Sequence, residues 1–121
     1  MTPLATTALT VAAVLLGALY ALWVFFLACM NLKRAKDAGQ LTRTALVLGT
    51  PVLWVGYLLD AFVNVTLMTL VMAELPRLAA GEWLVTDRLA RHHRTSTGWR
   101  LAVVLWFEPL LDPYDPSGDH V

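Results

Sequence analysis

Apolar positions fill two long blocks of this chain and then give way to a mixed pattern, and that change divides it. Leu4 to Met30 contains no charged residue, and a helix needs only roughly 20 apolar residues to cross a hydrocarbon core. Thr44 to Ala73 forms a second block, interrupted by Asp60 and by scattered hydroxyl and amide groups. The pattern predicts membrane helices over 4–32 and 44–73, joined by a basic loop over 33–43. After Ala73, "ELPR" at 74–77 and Gly81 break the helix. At 100° per residue, Val85, Leu89, His93, Thr86, Ala90 and Trp83 share one side of a helix over 82–94, with Asp87, Arg88, Arg91 and Arg94 on the other. That is the pattern of a basic amphipathic helix lying in the membrane interface. "LAVVLWF" predicts a short apolar helix over 98–108, started by the cap residues of "TSTG" and ended before Pro109, too short to span. The tail over 109–121 holds two Asp-Pro pairs and Ser-Gly, which predict successive turns. The expected fold is an all-α membrane protein in one domain: a two-helix transmembrane hairpin, two short interfacial amphipathic helices and a turn-rich C-terminal tail.

Stripes within the spans refine this picture. Ala13, Gly17 and Ala21 recur at four-residue spacing and strip one face of the first helix of bulk, the condition for close approach of membrane helices. In the second span Gly49, Leu53, Gly56, Asp60 and Asn64 recur at spacings of three or four and gather on one stripe. The two stripes are expected to meet. With residues 32 and 44 at the same depth, antiparallel pairing puts Asp60 opposite Leu16 and Gly17.

Composition agrees with membrane residence: 58% of the 121 residues are hydrophobic and 15% charged, with a mean hydropathy of +0.61. Net charge is zero, which with the lack of any reader motif argues against nucleic acid as a partner. The signs are unevenly placed, however. Lys33, Arg34, Lys36 and Arg43 crowd the loop, whereas Glu108 onward holds acids and no Lys or Arg. By the positive-inside rule the loop belongs in the cytoplasm and both termini in the periplasm, although Arg77, Arg88 and Arg91 beyond the second span pull the other way. The single cysteine, Cys29, excludes an intrachain disulfide.

Asp60 is the most pointed chemical signal, because an ionisable group at membrane depth is costly and is a functional-site hypothesis by default. Asn64 and Tyr57 lie one turn either side as hydrogen-bond partners. The structural reading is a carboxyl bonded between helices or subunits; the other is an ion or proton path. A relay needs more than one titratable station, and the first span offers none. His92, His93 and His120 with Glu108, Asp112, Asp115 and Asp119 could in principle hold zinc, but adjacent histidines project about 100° apart and no Cys pair or HExxH helix accompanies them. No metal or cofactor is expected. Arg88, Arg91 and Arg94, with Trp83 and Trp99 as interface anchors, are candidates for contact with lipid headgroups or a partner. No nucleophile, base and orienting group form a recognisable set, so an enzyme is not expected.

The second half, "ELPR", "EWLVTDRLARHHR", "GWR" and "LLDPYDPSGDH", resembles a group of small uncharacterised inner-membrane proteins of tailed bacteriophages and prophages of Gram-negative bacteria. The resemblance covers residues 74 to 120. Relatives often carry a cysteine beside the histidine after "DPSG", where this chain has Asp119. What the resemblance implies is action on the host envelope: superinfection exclusion, regulation of lysis, or inhibition of a host membrane complex. Three functions are then expected in turn. The first is a non-enzymatic interaction protein that binds another membrane protein or itself among membrane lipids; the second is a holin-like or ion-conducting homo-oligomer; the third is a structural subunit of a membrane or virion assembly.

Overall fold

The computed structural model describes residues 1–118 and 120–121, and Asp119 lies outside the described residues. It is helical, with no strand among the described residues: α1 (Pro3–Asp37), α2 (Arg43–Val65), α3 (Leu67–Met72), α4 (Val85–Thr95) and α5 (Trp99–Leu111), with 3-10 turns at Leu78–Ala80 and Asp112–Tyr114. Two stretches, Pro3–Asp37 and Arg43–Met72, are long and apolar enough to cross a membrane.

Local chemistry explains the helix starts. Thr2 Oγ1 accepts from Ala5 N at 3.1 Å and Pro3 opens the first turn of α1. Thr42 Oγ1 does the same for Ala45 N at 3.1 Å at the start of α2. The first helix does not stop at residue 32: it runs to Asp37, because Lys33, Arg34 and Lys36 are good helix formers and Arg34 and Lys36 suit its negative C-terminal end. The connection thereby shrinks from the expected 33–43 to 38–42. The second span is not one helix either. At Thr66 the backbone leaves helical geometry and the hydroxyl bonds back to Phe62 O at 2.6 Å, so α2 ends and α3 restarts. Ala73 then takes the left-handed conformation, φ 53°, in which helices commonly end on glycine.

The longer first helix moves the hairpin register. A Cβ on Gly49 would lie 2.9 Å from Leu32 Cδ1, and one on Gly56 would meet Cys29 Sγ and Phe25 Cβ at 3.7 Å. Residue 56 therefore stands opposite 25–29, and Asp60 lies near Leu22 and Phe26 instead of Leu16 and Gly17. Gly17 has nothing within 4 Å, and Ala13 is exposed, so the small-residue stripe of α1 faces away from α2.

The C-terminal half is not gathered at one end of the hairpin. The segment after Ala73 turns back, α4 begins beside Asp60 and runs along α2 towards Glu74, and α5 returns along α1. Arg100 Nε donates to Met72 O at 3.0 Å, Trp23 Nε1 donates to Leu110 O at 2.8 Å, and Lys33 Nζ reaches Asp115 Oδ1 at 3.0 Å. The last residues thus lie beside the basic end of the hairpin, not at the opposite end. The core between the layers contains Val63, Met68, Met72, Val85, Leu89, Val104 and Phe107. Pro109 does not end α5 at 107 or 108; it sits in the last turn, and the helix stops at Leu111, two residues beyond it.

Candidate functional site

The polar side chains converge on α4. Its buried stripe is Val85, Arg88, Leu89 and His92, the i, i+3, i+4, i+7 positions of one helix face. Its first turn needs acceptors for free N–H groups. Asp60 Oδ1, from the C-terminal part of α2, accepts from Val85 N at 2.7 Å, and Asp87 Oδ2 accepts from Leu84 N at 3.2 Å. Asp60 therefore caps α4. Neither Asn64 nor Tyr57 is its partner. Tyr57 points outward, while Asn64 is fully buried and donates Nδ2 to Glu82 O at 2.9 Å.

Arg88 penetrates the interface between the layers with no exposed surface at all. Its Nη1 donates to Asn64 O at 2.7 Å and to Thr69 Oγ1 at 3.4 Å, and its Nη2 donates to Glu74 O. Nε makes no hydrogen bond and faces the carboxylates of Glu74 at 3.7 Å and Glu82 at 3.9 Å. Arg91 forms a fork on Glu82, Nε to Oε2 at 2.6 Å and Nη2 to Oε1 at 2.9 Å, and also reaches Glu74 Oε1 at 2.5 Å. Burial pushes the Glu74 carboxyl up, but hydrogen bonds from Arg91 and His92 outweigh it and hold the group at about 2. The Arg91 hydrogen bond likewise lowers Glu82 against burial. Arg91 is raised by Glu82, against its own burial, with Glu74 adding to the effect. Burial lowers Arg88, and the two carboxylates oppose that.

The expected placement of the arginines is thus corrected. Arg88 and Arg91 do not face lipid headgroups, because two acids in the preceding segment draw them inward; only Arg94 is exposed, as are Trp83 and Trp99. The two histidines diverge as the helix requires. His92 is buried, and the ring of His93 reaches Val121 O at 3.2 Å. Among the described residues no group of three His, Cys, Asp or Glu side chains has a metal-binding arrangement.

Ser96, His92 and Glu74 do stand in line: Ser96 Oγ lies 2.5 Å from His92 Nδ1, and His92 Nε2 lies 2.5 Å from Glu74 Oε1. A hydroxyl, an imidazole and a carboxylate in this order are the parts of an acyl-transfer relay. Here they have other employment. Ser96 is the C-terminal cap of α4, Glu74 Oε1 is shared with Arg91, and Ser96 lines neither of the two clefts beside α1. The arrangement closes the helix end.

A second polar centre fastens the tail. Asp115 accepts from Ser117 N at 2.8 Å, Ser117 Oγ at 2.7 Å and Lys33 Nζ at 3.0 Å, and its other oxygen lies 2.7 Å from His120 Nδ1. Burial opposes ionisation of Asp115, but these bonds hold its carboxyl well below the usual range. His120 packs edge-on against Phe26, with centroids 4.8 Å apart.

Sequence reasoning named Asp60, Asn64, Arg88 and Arg91 separately, and the structure sets them along one seam between α2 and α4; it missed Glu74 and Glu82, and it named Asp115 only as a candidate zinc ligand, not as the group that fastens the tail to Lys33. The signal for Glu74 and Glu82 was present in "ELPR" and "GE". Acids placed before a basic helix, which also offers Val85, Arg88, Leu89 and His92 as one face, are candidates to fold back onto it. No family model matches the chain, and neither a curated protein nor a solved structure matches it significantly.

Proposed function

We propose that the chain is a non-enzymatic integral protein of the bacterial inner membrane, of the small phage-encoded type, that works by binding another membrane protein or a second copy of itself. In this reading α1 and α2–α3 span the bilayer. The basic hairpin end lies in the cytoplasm and the N-terminus in the periplasm, and the C-terminal half starts on the periplasmic side and packs back along the helices. Binding would serve superinfection exclusion or modulation of a host envelope complex.

The observation that carries this reading is where the polar groups point. Asp60 and Asn64 are both engaged inside the chain, by Val85, Glu82 and Arg88, which favours an interaction protein over a conducting path between copies. What the hairpin presents outward is apolar, with Leu9, Val14, Leu16, Leu48, Trp54 and Leu58 exposed. Within that surface the open row of Ala13 and Gly17 gives another membrane helix a place to approach closely.

The test is a purification of tagged chain in mild detergent with the mass of the intact complex measured, for the wild type and Gly17→Leu. Loss of a stoichiometric partner or of the dimer in the variant, with the fold of the monomer intact, is the expected result. A wild-type chain that purifies alone would sink the reading. A partner that survives Gly17→Leu would move the contact off this face.

A further inference from the structure

Below Asp60 the α4–α5 layer no longer covers the hairpin. There a cleft of about 860 Å³ opens between α1 and α2, within the range of roughly 300–1,000 Å³ usual for ligand sites. Its walls are apolar, formed by Phe25, Phe26, Cys29, Leu32, Leu53 and Gly56. Its two ends differ. At the hairpin end stand Lys33 and Lys36, and at the deep end Asp60, Thr86 and His120.

We propose that this cleft binds one molecule of an anionic phospholipid, with its phosphate on Lys36 and Lys33 and an acyl chain lying against Phe25, Cys29 and Leu53. The proposal rests on the reading that the hairpin spans a membrane. Charge complementarity is the first argument. Lys33 and Lys36 are three residues apart and share a helix face. Lys36 is exposed and makes no ion pair among the described residues, and Lys33, although paired with Asp115, keeps 42% of its side chain accessible. Asp37 is the one acid between residues 33 and 43, against four cations.

Length is the second argument. Leu22 and Lys36 both line the cleft, and the fourteen-residue step from one to the other spans about 21 Å at 1.5 Å per residue. One leaflet with its headgroups is half of a roughly 40–45 Å bilayer. A lipid anchored at Lys36 would therefore end its chain near Asp60, where the cleft closes. Continuity is the third: Leu46 belongs both to the lining and to the exposed apolar face, so the cleft opens sideways onto the lipid-facing surface.

The experiment is native mass spectrometry of the full chain, released from micelles doped with either phosphatidylglycerol or phosphatidylcholine. Wild type, Lys36→Gln and Arg94→Gln are compared. A single phosphatidylglycerol adduct is expected in the wild type, reduced about 5-fold in Lys36→Gln, the loss of roughly one surface cation's attraction. Arg94→Gln, which removes an exposed cation of α4 outside the cleft, should leave the adduct unchanged. Equal retention of phosphatidylcholine, an adduct unaffected by Lys36→Gln, or an equal fall in Arg94→Gln would each overturn the site. Carbonate-washed membranes supply the separate control: a chain that stays in them but shows no lipid selectivity refutes the cleft alone, and one that washes off refutes the membrane reading with it.

Discussion

The two interfaces of α2 are built from opposite materials. Towards α1 it presents Gly49 and Gly56, which let Leu32, Phe25 and Cys29 come close without a polar contact. Towards α4 it presents Asp60 and Asn64, which are bonded to a helix N-terminus, a carbonyl and a guanidinium. On the proposed reading that both helices span a membrane, they gain no hydrophobic drive from each other, so close van der Waals approach through small residues would hold the first interface. The second depends on charge-assisted hydrogen bonds in a desolvated seam, where every partner left unpaired is expensive. One interface should therefore be indifferent to pH and to charge mutations, and the other sensitive to both.

The most damaging way to separate them is Arg88→Met. It keeps bulk but strips donors from the carbonyls of Asn64 and Glu74 and removes a cation that faces two carboxylates. Breaking a buried ionic group by removing one partner costs about 3–5 kcal/mol. The expected outcome is that α4 and α5 detach in detergent unfolding, at lower denaturant than the wild type, while the helicity of α1 and α2 persists. A single transition in which all helices melt together would show that the two interfaces are not independent.

Acid should achieve a smaller version of the same separation. The Glu74 carboxyl is held at about 2 against an ordinary 4.5. Because the folded value is the lower one, its contribution is present above about pH 4.5 and is lost as pH falls towards 2. In that window the hydrogen-exchange protection factors, taken against the intrinsic rate at each pH, should fall in α4 and not in the buried turns of the hairpin. Glu74→Gln should remove this component and cost about 1.5–3 kcal/mol at neutral pH, the worth of hydrogen bonds to a charged group. Protection factors in α4 that stay constant from pH 5 to 3 in the wild type would contradict the assignment.

The same contrast explains what could be read in the chain. The two apolar helices, the break after Ala73 and the turns of the tail follow from local composition, so their sequence signal is direct. Register does not. Extending α1 from residue 32 to Asp37 moved Asp60 away from Leu16 and Gly17, because a hairpin's pairing depends on where its turn falls. The inward turn of Arg88 was hidden for a different reason. A helical wheel grades residues by their own polarity, whereas Arg88 is buried because Glu74 and Glu82, which lie outside its helix in the segment just before it, supply the countercharge. His92 went the same way, paired with Glu74 and Ser96. Local patterning was reliable for long apolar runs, and not for polar groups whose best solvent is another part of the chain.

Asp60 sharpens the comparison most finely, because it belongs to the apolar helix and serves the polar seam. Asp60→Asn keeps an acceptor for Val85 N and should cost a few tenths of a kcal/mol. Asp60→Leu leaves that N–H without its partner, and loss of an N-cap costs about 1 kcal/mol. The same change should improve insertion of α2, since a leucine replaces an acid at the helix centre. One substitution thus moves the two regions in opposite directions: more chain recovered in the membrane fraction, and faster amide exchange at Val85, Thr86 and Asp87. If exchange at Val85 were unchanged while insertion rose, Asp60 would not be the cap of α4, and its presence in the second span would need a partner outside this chain.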